Sequence, residues 1–196
     1  MKTSLDQRAL DQLFLTARTH SAWLPQPVGD DVLRQLYDLM RMAPTSANCS
    51  PTRIVFLRTP ESKQRLRPTL SPGNVDKTMS APVTAIIGYD LRFYEQMHTL
   101  FPHRDLQPTF AADPVLTEAT AFRNSSLQGA YFMLAARALG LDCGPMSGFD
   151  QAAVDQEFFP QGKVRTNFLC NLGYGERGAL FPRLPRLSFE DACTLL

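Results

Sequence analysis

Residues 113–140 read DPVLTEATAFRNSSLQGAYFMLAARALG and form the longest periodic segment of the sequence. Asp113-Pro114 is a helix start, because proline fits the first helical position and an aspartate can cap the turn it opens. Leu116, Ala119, Phe122, Leu127, Ala130, Tyr131, Leu134 and Ala138 recur at helical spacing, and Gly140 is a C-terminal stop. At about 1.5 Å per residue such a helix spans roughly 40 Å, longer than a small domain is wide. It is apolar around much of its circumference, and Ala130, Ala135 and Ala136 permit another element to approach closely. A helix buried on so many sides suits a subunit interface as well as a core.

Working towards the N-terminus, Pro82 to Tyr89 (PVTAIIGY) is apolar on both faces and reads as a buried strand. Ile54 to Leu57 is a shorter strand, followed by a helix opened by Thr59-Pro60. Ser4 with Gln7 suggests a capping box for a first helix running to about Arg18. A second helix is predicted after Gly29, capped by Asp30 and ended before Pro44. Pro44 to Pro51 is a polar loop. Residues 90–112 are irregular, with Phe93, Tyr94, Met97, Leu100 and Phe101 at helical spacing among prolines, as in a covering segment. Beyond the long helix, Phe168 to Leu172 is a further strand, and Ser188 with Asp191 opens a terminal helix. The order α, α, β, α, β, α, α, β and a tail contains no repeat or linker, so residues 1–196 are read as one domain.

Twenty basic and nineteen acidic residues give a formal charge of +1, so no long-range field gathers nucleic acid or an anionic membrane. An anion must be held by a local site. Asp6, Arg8 and Asp11 interrupt the N-terminal region where a signal peptide would be apolar, and no window approaches a membrane span, so a cytoplasmic location is expected. Cys49, Cys143, Cys170 and Cys193 lack metal or disulfide spacing and are read as free thiols; no metal site is expected. The acceptor motif Asn124-Ser125-Ser126 is inert without secretion.

Two further motifs fail on context. Gly173-Tyr174-Gly175-Glu176-Arg177-Gly178 matches a dinucleotide fingerprint after a strand, but Phe181-Pro182 breaks the chain where a helix would be needed, so a turn is predicted. In Gly144-Pro145-Met146-Ser147-Gly148 the serine stands one place too late for a nucleophile elbow.

Several ordered stretches resemble the nitroreductase family, and most closely its RutE-like subgroup of malonic semialdehyde reductases. Ala17-Arg18-Thr19-His20 is similar to the N-terminal motif that contacts the phosphate and ribityl chain of FMN. Pro44-Thr45-Ser46-Ala47-Asn48 resembles the loop that touches the flavin from the partner subunit. Asn74-Val75-Asp76-Lys77 keeps an Asn-x-x-Lys spacing used beside the isoalloxazine ring. Pro145-Met146-Ser147-Gly148 looks like the loop whose backbone amides, here those of Ser147 and Gly148, face flavin N5. Arg183 and Arg186 are similar to the basic pair that closes on the phosphate. Asn124 falls where the family contacts the ring or ribityl chain, or is simply a polar residue on an exposed helix face.

The resemblance implies an α+β fold with a central mixed sheet flanked by helices, in an intertwined homodimer. It also implies FMN as cofactor, NADH or NADPH as reductant, and two-step hydride transfer without an obligatory side-chain nucleophile. Malonic semialdehyde reduced to 3-hydroxypropionate is the acceptor expected, with a nitroaromatic or quinone as the alternative. A non-catalytic flavin-binding module is the other class. Beside the resemblance stands a physical requirement: a nearly neutral chain that holds a phosphate dianion needs converging local cations, and Arg18, Arg183 and Arg186 carry the forked donors suited to it, unless they are solvated surface charges. Arg53 or Arg123 is a candidate for the acceptor's carboxylate, or else a charge on a strand edge or helix.

Overall fold

A computed structural model describes residues 3–196. The long helix, α7, runs Pro114–Ala138; the Asp113 side chain accepts the Leu116 N–H at 2.9 Å and Gly140 carries the left-handed φ of 80° that ends it. It packs across a four-stranded sheet of order β1-β2-β4-β3, formed by β1 Thr52–Leu57, β2 Val83–Asp90, β3 Asp142–Met146 and β4 Val164–Gly173. Every strand pair is antiparallel. The parallel component expected of a mixed sheet is confined to one bridge, Thr19 to Cys143.

The central strand shows why its sequence is apolar on both faces. Ala85 and Ile87 pack with Leu33, Leu36 and Met40 of α2 (Asp30–Met40) and with Phe132, Ala135 and Ala136 of α7. Ile86 points the other way, onto Leu66 of α3 (Pro60–Leu66) and Val154 of α8 (Gln151–Phe158). Successive side chains of a strand face opposite sides, so a sheet covered by helices on both faces needs apolar residues at every position. Gly129 permits the close packing of α7 on the sheet, since a Cβ there would stand 2.6 Å from the Phe168 ring. Ala135 and Ala136, expected to be open to a partner, are spent inside this core, whereas Ala130 is exposed.

Several local expectations are corrected. The first helix is short, α1 Gln7–Leu10, and passes into a π-helical turn, Asp11–Leu15. Asp6 caps it in place of Ser4, because the Asp6 carboxylate accepts the Ala9 N–H at 2.8 Å. Gly29, rather than Asp30, occupies the cap of α2. β3 carries no strand signal in its sequence, since Gly144 and Pro145 are poor strand formers; as an edge strand it tolerates proline. Helix α4, Pro72–Ser80, follows α3, and its C-terminal carbonyls at Thr78 and Ala81 accept from the buried Lys63 ammonium, which burial lowers to about 8. The irregular stretch folds as α5 Met97–Leu100 and α6 Gln107–Ala112 around buried Phe93 and Met97. Beyond the turn that replaces the dinucleotide motif, residues 180–196 form a largely exposed tail with one capped turn, α9 Phe189–Ala192. Among the described residues no helix is long and apolar enough to cross a membrane.

Candidate functional site

The segment that follows the π-helical turn runs beside β3, held by the His20 N–H donating to the Cys143 carbonyl at 3.0 Å. There it meets the tail leaving β4, and the two exchange arginines. Arg18 donates to the Phe181 carbonyl, and Arg183 Nη2 donates back to the Leu15 and Ala17 carbonyls at 2.8 and 2.9 Å. This clasp borders an open cavity of about 600 Å³ lined by Arg18, Thr19, Arg137, Arg183 and Arg186, with no carboxylate in its wall. None of the four arginines has an ion-pair partner among the described residues. Guanidinium groups gathered without counter-charge repel one another, and a bound anion relieves that repulsion. The donor set therefore fits a phosphate group. Arg18, Arg183 and Arg186 are the candidates read from the sequence, and Arg137, not singled out there, lies in the same wall. In the last turn of a helix it has the signature of a charge that offsets the helix dipole.

His20 lines a smaller neighbouring cavity, of about 240 Å³, that shares Arg18 and Arg183 with the first. It is 4% exposed, with Nε2 3.4 Å from Asp142 Oδ1, while Asp142 Oδ2 accepts the Gly175 N–H at 2.9 Å. Burial holds the imidazole below its ordinary value, against the pull of Asp142 and with help from Arg177 and Arg18. His20 Nδ1 is buried without a partner among the described residues. A histidine whose folded value is depressed resists a proton that the unfolded chain accepts. Stability is thus complete above about 6.5 and declines as pH falls below it. Melting temperatures between pH 7.5 and pH 5 are expected to fall more for the native chain than for His20→Gln; parallel curves would remove His20 as the cause.

Asn74 and Lys77 lie one turn apart on α4, against the loop that leaves β3. The Gly148 carbonyl accepts from Asn74 Nδ2 at 2.6 Å and from the Ser71 N–H at 3.1 Å. The Lys77 carbonyl accepts from Trp23 Nε1 at 3.0 Å and Asn171 Nδ2 at 3.1 Å, so the N-terminal segment, α4 and β4 meet here. The structure thereby brings Asn74, Lys77, Pro145, Met146, Ser147 and Gly148 together. Met146 is buried and accepts a contact from Thr78 Oγ1 at 3.5 Å, whereas Ser147 reaches the surface.

The Pro44–Asn48 loop lies elsewhere, and no hydrogen bond among the described residues joins it to either group. Its backbone is left-handed at Ala47, Asn48 and Ser50, with φ of 48°, 51° and 39°. Such positions cost about 1 kcal/mol or more each and persist only where the surroundings impose them. The imposing contacts come from α7. Asn124 Oδ1 accepts the Ser46 N–H at 2.8 Å, and one turn later Gln128 Oε1 accepts the Thr52 N–H at 3.1 Å. Thr45 Oγ1 accepts the Ser50 N–H at 3.1 Å, and Asn48 Nδ2 donates to the Leu100 carbonyl at 2.8 Å.

Asn124 is therefore corrected from a polar residue on an exposed helix face to a buried one that holds the Pro44–Asn48 loop. It is 2% exposed and its Nδ2 is spent on the Thr120 carbonyl at 2.8 Å. Asn124→Ala is expected to cost about 1–3 kcal/mol, because the Ser46 N–H loses its partner. Urea unfolding checks this, and a change under about 0.5 kcal/mol, the level of an ordinary surface substitution, would refute it. Arg53 is corrected as well. It is paired with Asp90 at 2.7 Å and donates to the Ser50 and Thr52 carbonyls at 3.1 and 2.9 Å, so it closes the loop instead of awaiting a carboxylate. Arg123 is exposed on α7.

Comparison with known proteins gives this geometry its context. The Nitroreductase family profile matches residues 15–174. The chain belongs to the nitroreductase family. A relative from Polynucleobacter asymbioticus, called "Putative NADH dehydrogenase/NAD(P)H nitroreductase", is 57% identical over 196 residues, the whole of both chains. A protein of the same description from Burkholderia lata is 60% identical over 189 residues, 96% of this chain and 97% of its own. Among solved structures, a protein of Exiguobacterium sibiricum described as "a putative nitroreductase in complex with FMN" superposes with a TM-score of 0.83 at 18% identity, covering 100% of this chain and 99% of that one. That likeness establishes a nitroreductase fold, and the relatives establish the family.

Proposed function

We propose that this nitroreductase-family chain is an FMN-dependent NAD(P)H oxidoreductase, with the FMN phosphate held in the arginine cavity. The observation that carries the reading is that cavity: four guanidinium groups without ion-pair partners among the described residues, no carboxylate in the wall, and a clasp that joins the N-terminal segment to the tail at its edge. The names of the relatives, and the FMN held by the structural neighbour, point the same way. Bound FMN supplies the centre that takes hydride from NAD(P)H and passes it to an acceptor. The chain's own groups bind and orient. Arg18, Arg183 and Arg186 hold the phosphate beside Thr19; Asn74, Lys77 and the Ser147-Gly148 backbone flank the ring edge, where a cation favours the reduced, anionic form. No side chain is needed as a nucleophile.

The Pro44–Asn48 loop completes this site from a second copy of the chain. A homodimer is supported by apolar side chains left exposed on α7, Phe122 at 50%, Leu127 at 47% and Tyr131 at 41%, and along the tail at Phe181, Leu184, Leu187 and Phe189. Patches of this kind mark interfaces. A monomeric mass at micromolar concentration would defeat the dimer. A cytoplasmic location accords with three buried thiols and one exposed one, all unbridged.

For the acceptor we favour malonic semialdehyde, reduced to 3-hydroxypropionate, as in the RutE-like subgroup. With Arg53 occupied by Asp90, Arg123, exposed on α7, is the remaining candidate cation for its carboxylate. The relatives' names favour a nitro compound instead. Steady-state comparison of malonic semialdehyde with nitrofurazone separates the two, the larger kcat/KM deciding. Anaerobic bleaching of the flavin by NADH excludes a storage module, which has no reason to admit nicotinamide. Arg186→Ala is expected to weaken FMN retention by about 1.5–3 kcal/mol, the range for a charge-assisted contact. Unchanged flavin content after dialysis would take Arg186 out of the site.

A further inference from the structure

We propose that Arg137 is a phosphate-binding residue of the arginine cavity and sets its preference for a phosphorylated over an unphosphorylated flavin. This rests on the reading that the cavity receives the FMN phosphate. The side chain is placed by a helix packed into the core, since its neighbours Ala135 and Ala136 are 7% and 0% exposed. Its own carbonyl accepts from Gln12 Nε2 at 2.7 Å, and its Nη1 donates to the Leu13 carbonyl at 3.0 Å. Nε is buried with no partner among the described residues, so the guanidinium has donor capacity that the fold does not use.

The group borders two cavities. One is the arginine cavity of about 600 Å³; the other, of about 420 Å³, it shares with Arg8, Arg177, Asp11 and Asp142. Neither carboxylate comes within ion-pair range of it among the described residues. A half-buried cation with no counter-charge is costly, and a dianion in the adjoining cavity supplies what the fold omits. A division of labour among the four arginines follows. Arg18 and Arg183 spend donors on clasp carbonyls, and Arg186 spends Nη1 on the Leu184 and Pro185 carbonyls at 3.0 Å each. Arg183 and Arg186 sit on the largely exposed tail, and Arg18 on the extended segment beside β3. Arg137 stands ready on a helix, and a preorganised donor loses less on binding. The competing role for Arg137 is purely structural: offsetting the negative end of the α7 dipole and securing the Leu13 turn.

The two roles differ in one ratio. Flavin-free full-length protein is titrated with FMN and with riboflavin, following quenching of flavin fluorescence, for the native chain, Arg137→Gln and Arg137→Lys. A phosphate contact predicts that Arg137→Gln raises the Kd for FMN by about 10-fold or more while the Kd for riboflavin moves less than about 2-fold, with Arg137→Lys between. A structural role weakens both ligands equally, and that result, or no change in either, overturns the proposal. Should Arg137→Gln fail to fold, Arg137→Lys decides alone: its FMN-to-riboflavin ratio falls if the fork is needed and is unchanged if it is not. A native chain that binds FMN no better than riboflavin overturns instead the reading of the cavity beneath it, so the two failures are distinct.

Discussion

Gly175→Ala is expected to destabilise the protein by about 3 kcal/mol, the upper part of the range for overpacking a tight site. An added Cβ would overlap Nδ1 and Cγ of the His20 ring. Flexible side chains relieve such contacts by swinging aside, but this ring is 4% exposed, tied through Asp142, and packed 6.2 Å from the Trp23 ring centroid. Its own backbone is pinned to Cys143, and a Cβ on Gly144 would stand 2.6 Å from the His20 carbonyl. The strain therefore passes into the 18–23 segment, which carries Arg18, and flavin affinity should fall together with stability. A double-mutant cycle tests the cause: His20→Ala removes the ring, so Gly175→Ala should cost much less in that background. An equal cost in both backgrounds would show that the contact with His20 is not responsible.

Arg18→Ala combined with Arg183→Ala is expected to have the largest effect on cofactor binding, about 3–6 kcal/mol if two charge-assisted contacts at roughly 1.5–3 kcal/mol each are lost additively. The clasp works against strict additivity. Arg183 spends Nη2 on the Leu15 and Ala17 carbonyls, and Arg18 reaches the Phe181 carbonyl, so either single change also loosens the tail that presents the other cation. Each single variant should accordingly lose more than half of what the pair loses. FMN titration by fluorescence gives all three values. The reading of the cavity fails if the double variant retains FMN as the native chain does. Global stability should change by far less than flavin affinity, because the tail beyond residue 180 is largely exposed and contributes little to the core.

The core is the most legible part of the sequence. α7 is readable from Asp113 to Gly140 because its caps and its period are local signals, and the central strand because a run of eight residues apolar on both faces is too short for a buried helix and fits a strand covered on two sides. The failures are also local. Gly144 and Pro145 argue against a strand, yet β3 forms because it lies at the sheet edge beside Thr19. Asp6 takes the cap offered by Ser4, one of several short polar side chains within reach of the first turn.

For the candidate site, the amino-acid sequence by itself determined which residue types were present: forked cations near both ends of the chain, an amide and a lysine one helical turn apart, and a loop of small polar residues. Tertiary structure decided which of them act together. Arg53 and Arg123 are equivalent by type, but Asp90, thirty-seven residues from Arg53, removes the first from competition. Asn124 and Gln128 look like solvated amides on a helix until the loop they hold is folded against them. Arg137 joins Arg18 and Arg183 only because β3 and the tail bring both ends of the chain to the last turn of α7. Helix caps and periodicity depend on residues a few positions apart, whereas a counter-charge, a hydrogen-bond partner or a shared cavity depends on contacts between residues separated by 37 positions at Arg53 and Asp90 and by 166 at Arg183 and Ala17, which only the packed chain creates.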